Sequence, residues 1–255
     1  MRLPSWRGLL GVAAATAVAL TAQSPIGSAA AQETVPRSET LILARTPATT
    51  IADFNQMNPY GLGGLGRIRD TLNKTVYEFL FYYNHNTGEI IPWLATGFEY
   101  NDDFTEITIK LRDGVEWSDG EPFTAEDIKG WVKDVVVVDP KTAKIVLNKP
   151  NPRWAFFYLA ENSEINMAIV PKHIWENQDA AGFSNFDLEK GWPVGTGPFR
   201  LVKATDQQLV FDRRDDWWAA KTGFKELPKV KRFVRIPGGD QSSQTRLFAS
   251  GQIDF

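Results

Sequence analysis

Cysteine is absent from all 255 residues. That excludes disulfides, thiolate zinc sites, iron–sulfur clusters and cysteine nucleophiles, and it leaves no thiol to carry a lipid anchor. Histidine is nearly as scarce: His85 sits in a polar turn (Asn84-His85-Asn86) and His173 near an expected helix start. Neither has a second ligand at metal-binding spacing, so no metal site and no cofactor are expected. Gly-x-Ser-x-Gly and Walker motifs are missing. The adjacent acids Asp102-Asp103 and Asp215-Asp216 point in different directions on any regular element, so neither pair can flank one scissile bond. With no catalytic constellation, the chain is not expected to be an enzyme. Positive charge is not in excess either: 28 Lys and Arg against 31 Asp and Glu give a formal charge of −3, without the footprint of a nucleic-acid binder. The small-residue apolar run Gly8–Ala22 is shorter than the roughly 20 residues a membrane-spanning helix needs.

That run has another reading. Arg2 and Arg7 precede it and Ala29-Ala30-Ala31 follows, the layout of a secretory signal peptide over residues 1–31 with cleavage between Ala31 and Gln32. Removing two arginines and no acids takes the charge from −3 to −5. A soluble periplasmic protein is the expected product. Aromatic residues make up 12% of the chain, including nine Trp of which only Trp6 lies in the signal, enough to furnish both a core and a groove that holds sugar rings or peptide side chains. Gly61-Leu62-Gly63-Gly64-Leu65-Gly66 is formally G-x-G-x-x-G. A dinucleotide site needs a strand directly before it, whereas a polar loop containing Pro59 stands there, so a flexible loop is the better reading.

From Glu39 onward the pattern is α/β with several hairpins. Thr40–Ala44 is an expected buried strand, and Arg67–Tyr83 an expected helix running into an aromatic strand from Phe79. Phe104–Arg112 is the clearest strand, with Ile107, Ile109 and Leu111 on one face and Thr108, Lys110 and Arg112 on the other. Asp113-Gly114 and Asp119-Gly120 are turn dipeptides, and Thr124 with Asp127 forms a capping pattern for a helix from Ala125. Further expected elements are a hairpin from Val135 to Leu147, a helix start at Lys172 behind Pro171, a hairpin of Phe199–Ala204 with Leu209–Arg213, a strand Val230–Ile236, and a helix Asp240–Ser250 stopped by Gly251.

Four segments together carry a family resemblance: Tyr77–Asn84 with Ile91-Pro92-Trp93-Leu94-Ala95, the long run Phe104–Ile128, Pro193–Phe199, and Gly251–Phe255. In that order they resemble the family 5 extracellular solute-binding proteins, which serve peptide, nickel and some oligosaccharide ABC importers. The resemblance implies an α/β periplasmic binding protein-like II clamshell, of which residues 32–255 would be lobe I only, with mixed sheets, hairpins and flanking helices. It implies ligand held between lobes, hinge closure, and handover to ABC transporter permease subunits in the inner membrane, with a monomer as the working state. Two departures stand out. The helical insert expected after Thr124–Asp127 is short, and the chain stops where the family crosses into its second lobe, so a fragment, truncated product or split protein is expected.

The candidate ligand-binding residues are Phe54, Asn55, Met57 and Asn58 in one loop, and Trp192 and Thr196 around the Gly195-Thr196-Gly197 turn. Amides at Asn55 and Asn58 would hydrogen-bond ligand, and Phe54 and Trp192 would stack on it. The expected ligand is an oligopeptide or an oligosaccharide, with the aromatic richness and the Tyr82-Tyr83-Asn84 and Ile91–Ala95 segments leaning toward the sugar. The alternatives are a non-binding remnant or interaction scaffold, and a secreted hydrolase for which no catalytic constellation is found.

Overall fold

A polar turn, not the strand itself, decides where the clearest strand begins. Asn101 Oδ1 accepts the backbone N–H of both Thr105 and Glu106, and Asp103 Oδ1 accepts from Thr105. Phe104 is thereby held at φ 57 with its ring 41% exposed, so the strand expected from Phe104 starts two residues later. Beyond that point the alternation holds, and Ile107, Ile109 and Leu111 are all buried.

The computed structural model describes residues 34–45, 48–60, 69–131, 134–161 and 168–254. The expected signal peptide and the Gly61–Gly66 loop lie outside the described residues. In chain order the strands and helices are β1 (Thr40–Arg45), α1 (Arg69–Thr75), β2 (Phe81–Tyr83), β3 (Ile90–Pro92), β4 (Ala95–Tyr100), β5 (Glu106–Leu111), α2 (Ala125–Trp131), β6 (Val135–Asp139), β7 (Thr142–Val146), α3 (Trp154–Tyr158), β8 (Ala160–Glu161), α4 (Lys172–Trp175), β9 (Phe199–Ala204), β10 (Leu209–Arg213), α5 (Trp218–Lys221), β11 (Arg232–Pro237) and α6 (Gln241–Ala249). The aromatic strand expected from Phe79 is confined to β2.

Three sheets form among the described residues. One is antiparallel in the order β4-β5-β7-β6, and a small one runs β3-β2-β8. The third, β1-β11-β10-β9, pairs β1 parallel to β11 across most of the chain's length. Helix ends follow the sequence chemistry. Asp240 caps α6 by accepting from Ser243 N–H at 2.6 Å, and Gly251 closes it at φ 70. The cap of α2 works through its acid: Asp127 Oδ2 accepts the Thr124 N–H at 2.8 Å while Oδ1 accepts the Lys172 N–H at 2.9 Å, so one carboxylate opens both α2 and α4. Burial raises the Asp127 pKa, and those N–H donors work against the rise.

Two apolar clusters form the interior. The larger gathers Ile107, Ile109, Trp117, Phe123 and Trp218 around the first two sheets, and the smaller gathers Met57, Leu72, Tyr77, Leu209 and Phe211. The segment Val76–Phe81 contributes to both: Val76 and Tyr77 to the smaller, Leu80 and Phe81 to the larger. Against it lies the Gly195-Thr196-Gly197 turn, with Gly197 N–H donating to Val76 O at 2.8 Å. The approach is close because neither glycine has a Cβ. One built on Gly195 would stand 2.0 Å from Val76 O, and one on Gly197 2.5 Å from Thr75 O.

Gly195→Ala is therefore expected to destabilise the fold by about 3 kcal/mol or more, since the obstruction is backbone that cannot swing away. Gly97→Ala, in β4 with open space around it, is expected to stay within about 0.5 kcal/mol of the parent. Urea unfolding of the two variants checks the contrast, and equal losses would mean that the turn can open without cost.

Candidate functional site

Beside that seam lies a concave pocket of about 520 Å³, lined by Asn73, Lys74, Tyr77, Glu78, Tyr82, Ile91, Trp93, Pro198 and Trp217. The sequence puts these groups together through local rules. Helix α1 supplies Asn73 and Lys74 from one turn, and the chain leaving it delivers Tyr77 and Glu78. The β2–β3 hairpin then places Tyr82 opposite Ile91. The segment before β4 carries Trp93, whose ring meets Tyr82 edge-on at 5.0 Å.

The floor is the side chain of Glu78, 3% exposed. Its Oε1 accepts the indole N–H of Trp93 at 2.9 Å and its Oε2 that of Trp218 at 2.7 Å. The side chains of Thr196 and Trp217 also favour its charged form. These are neutral donors, and they do not offset the loss of water: burial pushes the carboxyl up to about 7. The nearby cation is the buried Arg214 guanidinium, which donates to Gly195 O at 3.3 Å and Gly197 O at 3.0 Å and meets Asp216 at 3.4 Å. Burial lowers its pKa, opposed by Asp216 and Glu78.

Most polar groups of the lining already have protein partners. Tyr77 Oη accepts from Asn185 Nδ2 at 2.7 Å, Lys74 pairs with Asp70 at 2.5 Å, and Trp217 Nε1 donates to Thr196 O at 3.1 Å. Asn73 differs. It is 8% exposed, and its Oδ1 is buried without a hydrogen-bond partner among the described residues.

The residues singled out from sequence mostly lie elsewhere. Met57 is fully enclosed in the smaller cluster, with Phe54 packed against the same cluster, and Asn55 is exposed. Asn58 uses its amide on the carbonyls of Ala180 and Phe183 at 2.9 and 2.6 Å. Trp192 packs edge-on against Phe183 at 5.3 Å, under the Lys190 ammonium at 4.8 Å. Asn58 and Trp192 thus meet around Phe183, and Asn185, bonded to both Met57 O and Tyr77 Oη, ties this region to the pocket wall. Thr196 alone reaches the pocket floor directly, through Glu78. Sequence reasoning missed Glu78, Trp93 and Asn73 as site residues. A lone acid inside the apolar run Val76–Tyr83 was the available signal for Glu78.

The chain is similar to known solute-binding proteins. Residues 89–131 and 129–255 match the description of bacterial extracellular solute-binding proteins, family 5. Agrobacterium fabrum has a relative named as a probable peptide-binding protein, YejA, 27% identical over 86% of this chain and 37% of its own length. The nickel-binding periplasmic protein of Escherichia coli is 28% identical over 71% of this chain and 35% of its own. Among solved structures, the periplasmic oligopeptide-binding protein of a Thermotoga maritima oligopeptide ABC transporter superposes with a TM-score of 0.68 at 26% identity, covering 86% of this chain and 41% of that one. The same protein with mannohexaose bound gives 0.63 at 28% identity, covering 87% and 42%. The chain therefore spans less than half the length of the relatives it matches, and the shared part has the mixed α/β architecture of their fold.

The Glu78 carboxyl makes a testable contribution to stability. Its folded pKa of about 7 lies above the ordinary carboxyl value of 4.5, so between those values the folded state holds the extra proton. The contribution is fully present below the lower value and is lost as pH rises through the upper one. From pH 4.5 to 8 the parent is expected to lose about 3 kcal/mol more unfolding free energy than Glu78→Gln, which has no such proton. Parallel pH dependence of the two proteins in urea unfolding would overturn the assignment.

Proposed function

We propose that this chain, which belongs to the bacterial extracellular solute-binding proteins of family 5, is part of the substrate-binding component of an ABC importer and captures an oligopeptide or an oligosaccharide. It works in the periplasm, after removal of residues 1–31, and passes its ligand to permease subunits of the inner membrane. Capture, not turnover, is its role.

The observation that carries this reading is the aromatic pocket, four of whose lining residues, Ile91, Trp93, Pro198 and Trp217, fall inside the family-matched stretch. Its volume is in the range of small-ligand sites, roughly 300–1,000 Å³. Its aromatic walls are held by protein partners, with Trp93 on Glu78 and Trp217 on Thr196 O. Walls fixed by protein partners suit binding, because little side-chain freedom is left to lose when ligand arrives. Names among the relatives support the ligand classes: peptide-binding for YejA, and mannohexaose found in the Thermotoga protein.

Two indoles in the pocket provide the assay. Titration of the full chain with pools of short peptides and of oligosaccharides is expected to change tryptophan fluorescence saturably with at least one pool. Trp93→Phe is expected to remove most of that change, and the ligand should be recovered unaltered. A folded protein with no saturable response to either pool, or recovery of cleaved ligand, would overturn the proposal.

A further inference from the structure

We infer a second binding site on this chain, a surface hollow at Trp154 that takes pyranose units of a glycan chain. It shares no lining residue with the aromatic pocket and is independent of the solute captured there.

The hollow measures about 550 Å³ and lies where the chain leaves β7 for α3, with Asp134, Val146, Asn148, Lys149, Asn151 and Trp154 in its lining. Its walls are held from behind. Leu147 N–H donates to Thr105 O at 2.8 Å and Asn151 N–H to Phe104 O at 2.9 Å, so the loop between β7 and α3 is pinned at both ends. Asn151 then leads into α3: its O accepts the Trp154 N–H at 3.2 Å and its Oδ1 the Arg153 N–H at 3.1 Å. The Trp154 ring stands 5.0 Å from the Tyr158 ring one turn on, and the Ala155 N–H donates to Tyr100 Oη at 2.8 Å. Trp154 is half-buried, so a supported indole keeps part of its surface open to the hollow.

The polar groups here are the reverse of those in the aromatic pocket, where acid, indoles and amides hold one another. Among the described residues, the side chains of Asp134, Asn148 and Lys149 have no hydrogen-bond or ion-pair partner, and the Trp154 indole N–H has none either. Asp134, Asn148 and Lys149 are exposed, so a ligand reaches them without displacing protein. A pyranose ring has a face of C–H groups and a rim of hydroxyls, each hydroxyl both donor and acceptor. Its face matches an indole, and its rim matches a carboxylate, a carboxamide, an ammonium and an N–H. An apolar side chain would strip water from those groups and pair none of them, at about 1–3 kcal/mol for each one buried. An anion would gain Lys149 and meet Asp134.

Exposure also sets the form of the ligand. An occupant of so open a hollow keeps one face in water, which suits an internal stretch of a long glycan that continues past the site. Such contact tethers the protein and leaves the aromatic pocket free for solute.

The test is fluorine NMR of the full chain carrying 5-fluorotryptophan, titrated with mannohexaose, cellohexaose and chitohexaose. Loss of one signal in Trp154→Phe assigns that residue. The Trp154 signal is expected to shift saturably with at least one hexasaccharide, to do so equally in Trp93→Phe, and to stay in place with Ala-Phe-Ala. Asn148→Ala and Lys149→Ala, both at exposed positions, are each expected to weaken that binding about threefold with the urea midpoint unchanged. A Trp154 signal that moves with none of the hexasaccharides, or moves as far with the tripeptide, would overturn the site. Undiminished affinity in both exposed variants would do the same. A shift produced only by phosphatidylglycerol vesicles would replace it with a membrane-facing patch. Shifts confined to Trp93 and Trp217 would also sink it, while supporting solute capture in the aromatic pocket.

Discussion

Glu78 is the point on which the rest of the structure is hung. A carboxylate buried this far needs partners, and those found are indoles from two distant stretches, Trp93 ahead of β4 and Trp218 at the start of α5. Hydrogen bonds to a charged acceptor are worth about 1.5–3 kcal/mol each. Two of them come close to the several kcal/mol that burial of a carboxylate costs, yet its pKa remains raised, so desolvation wins by a modest margin. Such an arrangement is weak as a source of stability and strong as a source of geometry. An indole has one donor, and aiming it at a fixed oxygen fixes the whole ring. Trp93 therefore has one place to stand, and Tyr82 and Phe224 pack edge-on against it at 5.0 and 5.3 Å.

The second constraint is the glycine turn beside it. Gly195 and Gly197 let their backbone press onto Thr75 and Val76, and Arg214 then holds the carbonyls of both glycines from the other side. Thr196, between them, turns to Glu78 with its side chain and to Trp217 with its carbonyl. Three residues of turn thus fix the exit of α1, the acid that follows it, and the start of α5. The segment Val76–Phe81, which contributes to both apolar clusters, runs along this polar seam. The described helices are short, and α6, the longest, has nine residues.

The elements most legible in the sequence were those governed by local chemistry. The alternation in β5, the turn glycines Gly114 and Gly120, the Asp240 cap and the Gly251 stop all act within a few residues. Phe104 escaped because a non-glycine residue at positive φ looks like strand in its side-chain pattern, and what overrides that pattern is a pair of side-chain acceptors at Asn101 and Asp103. The site was less legible. Asn58 looked free to meet ligand, but its amide is taken by carbonyls more than a hundred residues away. Met57 looked like loop and is core. Trp93 was noticed for its company and not for its role, because an indole aimed at an acid 15 residues earlier leaves no periodic trace. Thr196, held between two close-approach glycines, turns its side chain toward Glu78.

A wall whose indoles are held by its own protein has a consequence for recognition. In many sites a ligand completes an unfinished hydrogen-bond network, and the empty site rearranges. Here Trp93 and Trp217 each have a hydrogen-bond partner within the protein, so the wall is expected to hold its shape and discriminate chiefly by shape and apolar area. The open face of the pocket limits affinity. One open cup leaves a face of its occupant in water, so only part of the ligand's apolar surface can be buried. Any second surface that closes over the ligand would gain the remainder, and that difference in contact is what can favour a closed state over an open one. Under the proposed function, a wall whose indoles are fixed would select the occupant, and the energy of closure would come from whatever covers it.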